Sequence, residues 1–130
     1  MIPYGDLAAE RLELLFWLIS QEIGFAQDNI RGLGDALAEP DMNGLVREAY
    51  GNSLSSTKND VLRFVTVNET IKSVEQRGFK VTLTEKRDLD YAFNKLIDWP
   101  GTREMAARRA AFRDLEKKHN EAQRVSKEPL

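Results

Sequence analysis

No cysteine occurs in this chain, which excludes disulfides, thiolate metal sites and cysteine nucleophiles together. A cysteine-free composition fits a reducing compartment, and the cytoplasm is the expected location. Histidine is nearly as scarce: His119 is the single one, so all imidazole chemistry has one address. Long apolar runs are also missing. The stretch Leu14-Leu15-Phe16-Trp17-Leu18-Ile19 falls far short of the roughly 20 residues that span a bilayer, and Glu10, Arg11, Glu13 and Glu22 flank it. No membrane partner is expected. The opening residues lack a basic leader pattern, so the sequon Asn68-Glu69-Thr70 is expected to be silent. The signatures G-x-x-x-x-G-K-[ST], H-E-x-x-H and G-x-S-x-G and the EF-hand loop are absent. Gly32-Leu33-Gly34 is no dinucleotide fingerprint, because Leu37 stands where the third glycine belongs and no strand precedes it.

What the chain does contain is a helical stripe. Ala8, Leu12, Leu15, Ile19, Ile23, Ala26, Ile30, Leu33 and Leu37 recur at steps of four and three, which predicts one long first helix. Pro3 and Asp6 suit its entrance, Glu39-Pro40 its end, and the glycines from 32 to 34 a bend. Leu14 and Trp17 lie beside the stripe and widen it beyond a single seam. With Leu18 they are the expected interface.

Asp41 or Asn43 can cap a second segment, and Gly51-Asn52-Ser53 with Ser55-Ser56-Thr57 predicts a break near residues 51–57. The alternative is one continuous helix through Leu54 and Val61, antiparallel to the first. Gln76-Arg77-Gly78-Phe79 has the form of a glycine C-cap followed by an apolar anchor. Phe79-Lys80-Val81-Thr82-Leu83 alternates but has no strand of matching quality to pair with, so it is expected to be an extended connector. Thr82 and Glu85 form a capping box for a helix burying Leu89, Tyr91 or Ala92, Phe93, Leu96, Ile97 and Trp99, which Trp99-Pro100-Gly101 ends. Thr102 caps a last helix with the seam Met105, Phe112, Leu115, His119 and Ala122. The expected fold is therefore all-α: a four- to five-helix bundle, one domain over residues 1–130, with residues 124–130 as a loose tail.

Charge is uneven along this bundle. Net charge is −6 over residues 1–60, +1 over 61–101 and +3 over 102–130. Acidic residues interrupt the basic C-terminal stretch, so it is expected to attract the first helix rather than bind nucleic acid non-specifically.

His119 lies on the last seam, six residues after Arg113. Arg113-Asp114-Leu115-Glu116-Lys117-Lys118-His119 resembles the Arg/His motif of HEPN-type helical ribonucleases, although in the commonest form of that motif Asn follows the Arg and His comes one residue nearer. The resemblance implies a metal-independent cut of RNA by Arg/His pairs juxtaposed across a dimer, with Arg113 holding phosphate and His119 moving a proton. Glu116 and His119 also have the E-x-x-H spacing of di-iron bundles, but one histidine cannot supply the usual two copies, so no metal or other cofactor is expected. The leading expectation is a small interaction or regulatory protein that acts through protein contacts as a homodimer. The ribonuclease is the alternative, and RNA is a partner only there.

Overall fold

A computed structural model describes residues 1–99 and 101–127. The elements in order are β1 (Ile2–Pro3), α1 (Ala8–Leu37), α2 (Gly44–Gln76), β2 (Lys80–Val81), α3 (Leu83–Ile97) and α4 (Arg103–Lys127). The fold is all-α, a four-helix bundle built on a long N-terminal helix. Pro100 of the expected Trp-Pro-Gly stop and residues 128–130 of the expected tail lie outside the described residues. Helix α4 itself continues through Arg124 to Lys127.

Helix α1 does not begin as its sequence suggests. Pro3 pairs with Lys80 and Ile2 with Val81 in a two-residue antiparallel ladder, so the connector after α2 is a short strand whose partner is the chain's own start. The Tyr4 amide extends this ladder to the Phe79 carbonyl at 2.9 Å. Gly5 (φ +132°) and Leu7 (φ 56°) then turn the chain into α1. Leu7, not Asp6, occupies the N-cap, with no side-chain cap. A left-handed leucine costs on the order of 1 kcal/mol, and the strand pairing and the burial of Tyr4 hold it there. The Asp6 carboxylate turns instead to α4.

Helix α2 runs unbroken through residues 51–57, contrary to the expected break. Thr57, one of the hydroxyls that signalled a cap, donates instead to the Ser53 carbonyl at 2.8 Å, as Thr66 does to Leu62 at 2.9 Å and Thr70 to Thr66 at 3.0 Å. Pairing with α1 overrides the local preference, with Asn29 reaching Thr57 and Asn68 reaching Ser20, both at 3.4 Å. Asn43 caps the helix through the Leu45 amide at 2.8 Å. Arg47 closes the hairpin by donating to the carbonyls of Leu37 and Glu39, each at 2.7 Å. It thereby supplies the last turn of α1 with the cation that helix lacks.

Other signals hold. Gly78 takes φ +69° after α2, and Phe79 donates back to the Val74 carbonyl at 2.9 Å. Thr82 and Glu85 exchange capping-box bonds of 2.9 and 3.1 Å, and Thr102 accepts from the Met105 amide at 3.2 Å. The core gathers at the base of the hairpin, where Leu12, Leu15, Leu18 and Ile19 of α1 meet Ile71 and Val74 of α2, Leu89 and Phe93 of α3, and Met105 and Phe112 of α4. Each large aliphatic buried there contributes about 1.5–3 kcal/mol. Phe93 and Phe112 stack edge to face at 5.5 Å. Away from this base the picture changes: between residues 20 and 70 no side chain is buried. The distal half of the α1–α2 hairpin is an arm held by one thin seam.

Candidate functional site

A groove of about 790 Å³ opens where the arm leaves the base, walled by α1, α2 and the end of α3. Phe64, Val67, Leu89, Ala92 and Leu96 lie deep in it, while Phe25, Leu62, Tyr91 and Trp99 line it as exposed side chains. Trp99 is 50% exposed and Tyr91 68%. Exposed large apolar groups collected around one concavity mark a binding surface more strongly than scattered ones do. Ala26 and Ala92 keep its floor low.

Five charged side chains share the lining: Glu22, Asp60, Asp88, Arg63 and Lys95. Lys95 lies 5.8 Å from the Tyr91 ring centre. Burial pushes the Glu22 carboxyl above its ordinary value, and the charge of Arg109 opposes that shift. Arg109 itself is 7% exposed, and its Nε and Nη2 have no hydrogen-bond partner among the described residues. A buried guanidinium in that state is costly, and its charge acts on the Glu22 carboxyl.

The residues singled out in the sequence fall elsewhere. Leu14 and Leu18 are buried in the core, and Trp17 is half-buried with the Arg108 guanidinium 4.1 Å above its ring. The extra width of α1 has an internal use, because this helix touches each of the other three. Arg113 and His119 do not meet within the chain. Arg113 pairs with Asp98 at the end of α3, whereas His119 Nε2 lies 3.4 Å from the Asp6 carboxylate, which also accepts from Gln123 at 2.9 Å. Six helical residues turn the two side chains about 120° apart. A shallow depression on α4 holds Arg113, Glu116, Lys117 and Arg124 but not His119. Among the described residues no cluster of three or more His, Asp or Glu is placed to hold a metal, and no helix is long and apolar enough to cross a membrane.

Sequence patterning places Trp99, and either Tyr91 or Ala92, in the core and so passes over the groove. The one hint was that Tyr91 and Ala92 compete for the same inward position; the structure buries Ala92 and leaves Tyr91 outside. No family model matches the chain, and no curated protein or solved structure is found similar to it.

Proposed function

We propose that this chain is a small helical interaction protein that works by protein contact, as a homodimer in the cytoplasm. The groove between the arm and α3 carries the proposal: it gathers exposed Phe25, Tyr91 and Trp99 around an apolar floor. A two-helix arm with no buried residue has unfulfilled packing capacity, which a second helical surface satisfies. The cysteine-free composition supports a reducing location. Sedimentation equilibrium over a wide concentration range tests this reading. A monomer–dimer equilibrium is expected, weakened at least tenfold by Phe25→Asp with the helical circular dichroism unchanged. A strict monomer at millimolar concentration removes the homodimer.

A further inference from the structure

We infer that the groove takes a basic amphipathic helix of a partner protein, laid on the α1–α2 hairpin beyond the end of α3, with its apolar side on the groove floor and its cations toward Asp60 and Asp88. This names the partner chemistry of the groove and rests on the interaction-protein reading above.

Charge selects the occupant. Glu22, Asp60 and Asp88 share the lining with Arg63 and Lys95, and every ion pair among the described residues lies outside the groove. Lys95 lies 5.8 Å from the Tyr91 ring centre, and the charge of the buried Arg109 acts on Glu22. Asp60 and Asp88 are exposed, with no ion pair among the described residues. The acid excess continues along the arm, where residues 20–70 carry eight Asp and Glu against four Lys and Arg. Two of those four cations are already engaged: Arg31 lies 3.9 Å from Asp28, and Arg47 donates to the carbonyls of Leu37 and Glu39. Such a surface draws in and orients a cationic segment.

The base of the bundle shows what covers aromatic rings in this fold. Arg108 of α4 lies 4.1 Å from the Trp17 ring centre, and Arg11 of α1 lies 3.9 Å from that of Phe93. In the groove Phe25 and Trp99 are 45% and 50% exposed, and no cation among the described residues lies over either ring. A partner's Lys or Arg completes the same contact there. A helix is the shape that fits, because α3 itself packs on both α1 and α2 and ends at Ile97, leaving the hairpin uncovered beyond it. The floor of Phe64, Val67, Ala92 and Leu96 takes apolar side chains spaced at i, i+3 or i+4, and i+7.

The probe is a tryptophan-free peptide of leucine and lysine, about 18 residues or five helical turns long, patterned so that the leucines line one face. One control replaces every lysine with glutamate, and a second scrambles the sequence at constant composition. Titrated into the full chain, the lysine peptide is expected to shift tryptophan emission to the blue, a shift that Trp99→Phe removes. It should bind about tenfold more tightly than either control. Asp60→Asn with Asp88→Asn is expected to weaken it about fivefold, whereas Asp114→Asn with Glu121→Gln, which removes the same charge from α4, should leave it unchanged. Absent binding, equal affinity for the lysine and glutamate peptides, or equal loss in the two double variants overturns the site. Sedimentation equilibrium without peptide reads the homodimer separately. A dimer that ignores the lysine peptide overturns this inference alone, and a strict monomer that binds it overturns the homodimer alone.

Discussion

The Tyr4 hydroxyl donates to Asp90 Oδ1 at 2.9 Å, joining the first turn of the chain to the middle of α3. Asp90 also pairs with Lys86 at 2.8 Å and lies 3.5 Å from Arg11, whose guanidinium sits 3.9 Å from the Phe93 ring centre. Burial opposes ionisation of Asp90, yet the hydrogen bonds from Lys86 and Tyr4, with the charges of Lys86 and Arg11, hold its carboxyl below the ordinary value. Tyr4→Phe keeps the packing and removes the bond. It is expected to cost about 2 kcal/mol in chemical denaturation, the scale for a hydrogen bond to a charged acceptor.

The same phenol predicts an alkaline limit. Burial first, and the bond to Asp90 second, push the Tyr4 pKa from 10.0 to about 12. The folded state therefore holds its proton more tightly than the unfolded chain. The associated stability is complete below pH 10 and is lost as pH rises toward 12. In an absorbance titration of phenolate, one tyrosine is expected to ionise late. Tyr4→Phe should remove that late step; if it persists, the assignment is wrong.

Glu85 sets an acid limit of opposite sign. Its hydrogen bond with Arg77 leads, followed by the Thr82 amide, and together they lower the carboxyl from 4.5 to about 2. Arg77 Nη1 donates to Oε1 at 2.9 Å. The stabilisation is present above pH 4.5 and disappears as pH falls toward 2. Glu85→Gln should flatten the acid limb of the midpoint against pH, by thermal melts, and lower the midpoint at pH 7. An unchanged acid limb in that variant contradicts the assignment.

Arg109 offers a test in the other direction. A buried guanidinium whose Nε and Nη2 have no hydrogen-bond partner among the described residues, and whose charge acts on the half-buried Glu22 carboxyl, gives little net stability. The double variant Arg109→Met with Glu22→Gln is expected to be as stable as the parent or about 1–2 kcal/mol more so. A loss above about 2 kcal/mol in urea unfolding means that the charge has a stabilising partner.

Arg113 is expected to matter little for the fold. Its pair with Asp98 is open to solvent, at 53% and 77% side-chain exposure, and such pairs contribute under about 1 kcal/mol. Arg113→Ala should leave the melting midpoint nearly unchanged. The purified chain is expected to leave RNA intact in EDTA. RNA cutting that vanishes in both Arg113→Ala and His119→Ala would instead establish the ribonuclease.

Much of the architecture was legible because it is local. Gly78, the Thr82–Glu85 box and Thr102 each act within one helical turn, so their signals survive any tertiary arrangement. The β1–β2 ladder was not legible, since two residues carry no periodicity. Thr57 misled because its hydroxyl is as well satisfied by the preceding turn as by a cap. The groove was hidden for a different reason. Trp99 has the pattern of a core residue, and only the end of α3 at Ile97 leaves it, like Phe25, exposed among the described residues.

The pairing of Ile2 with Val81 also sets an order of assembly. It closes a loop of roughly 80 residues containing the whole hairpin, at a chain-entropy cost of about 4 kcal/mol beyond the constant term. The hairpin's own contacts join residues nearer in sequence and form without that closure. The ladder therefore closes after the hairpin, and during synthesis Ile2 must wait for β2 to emerge.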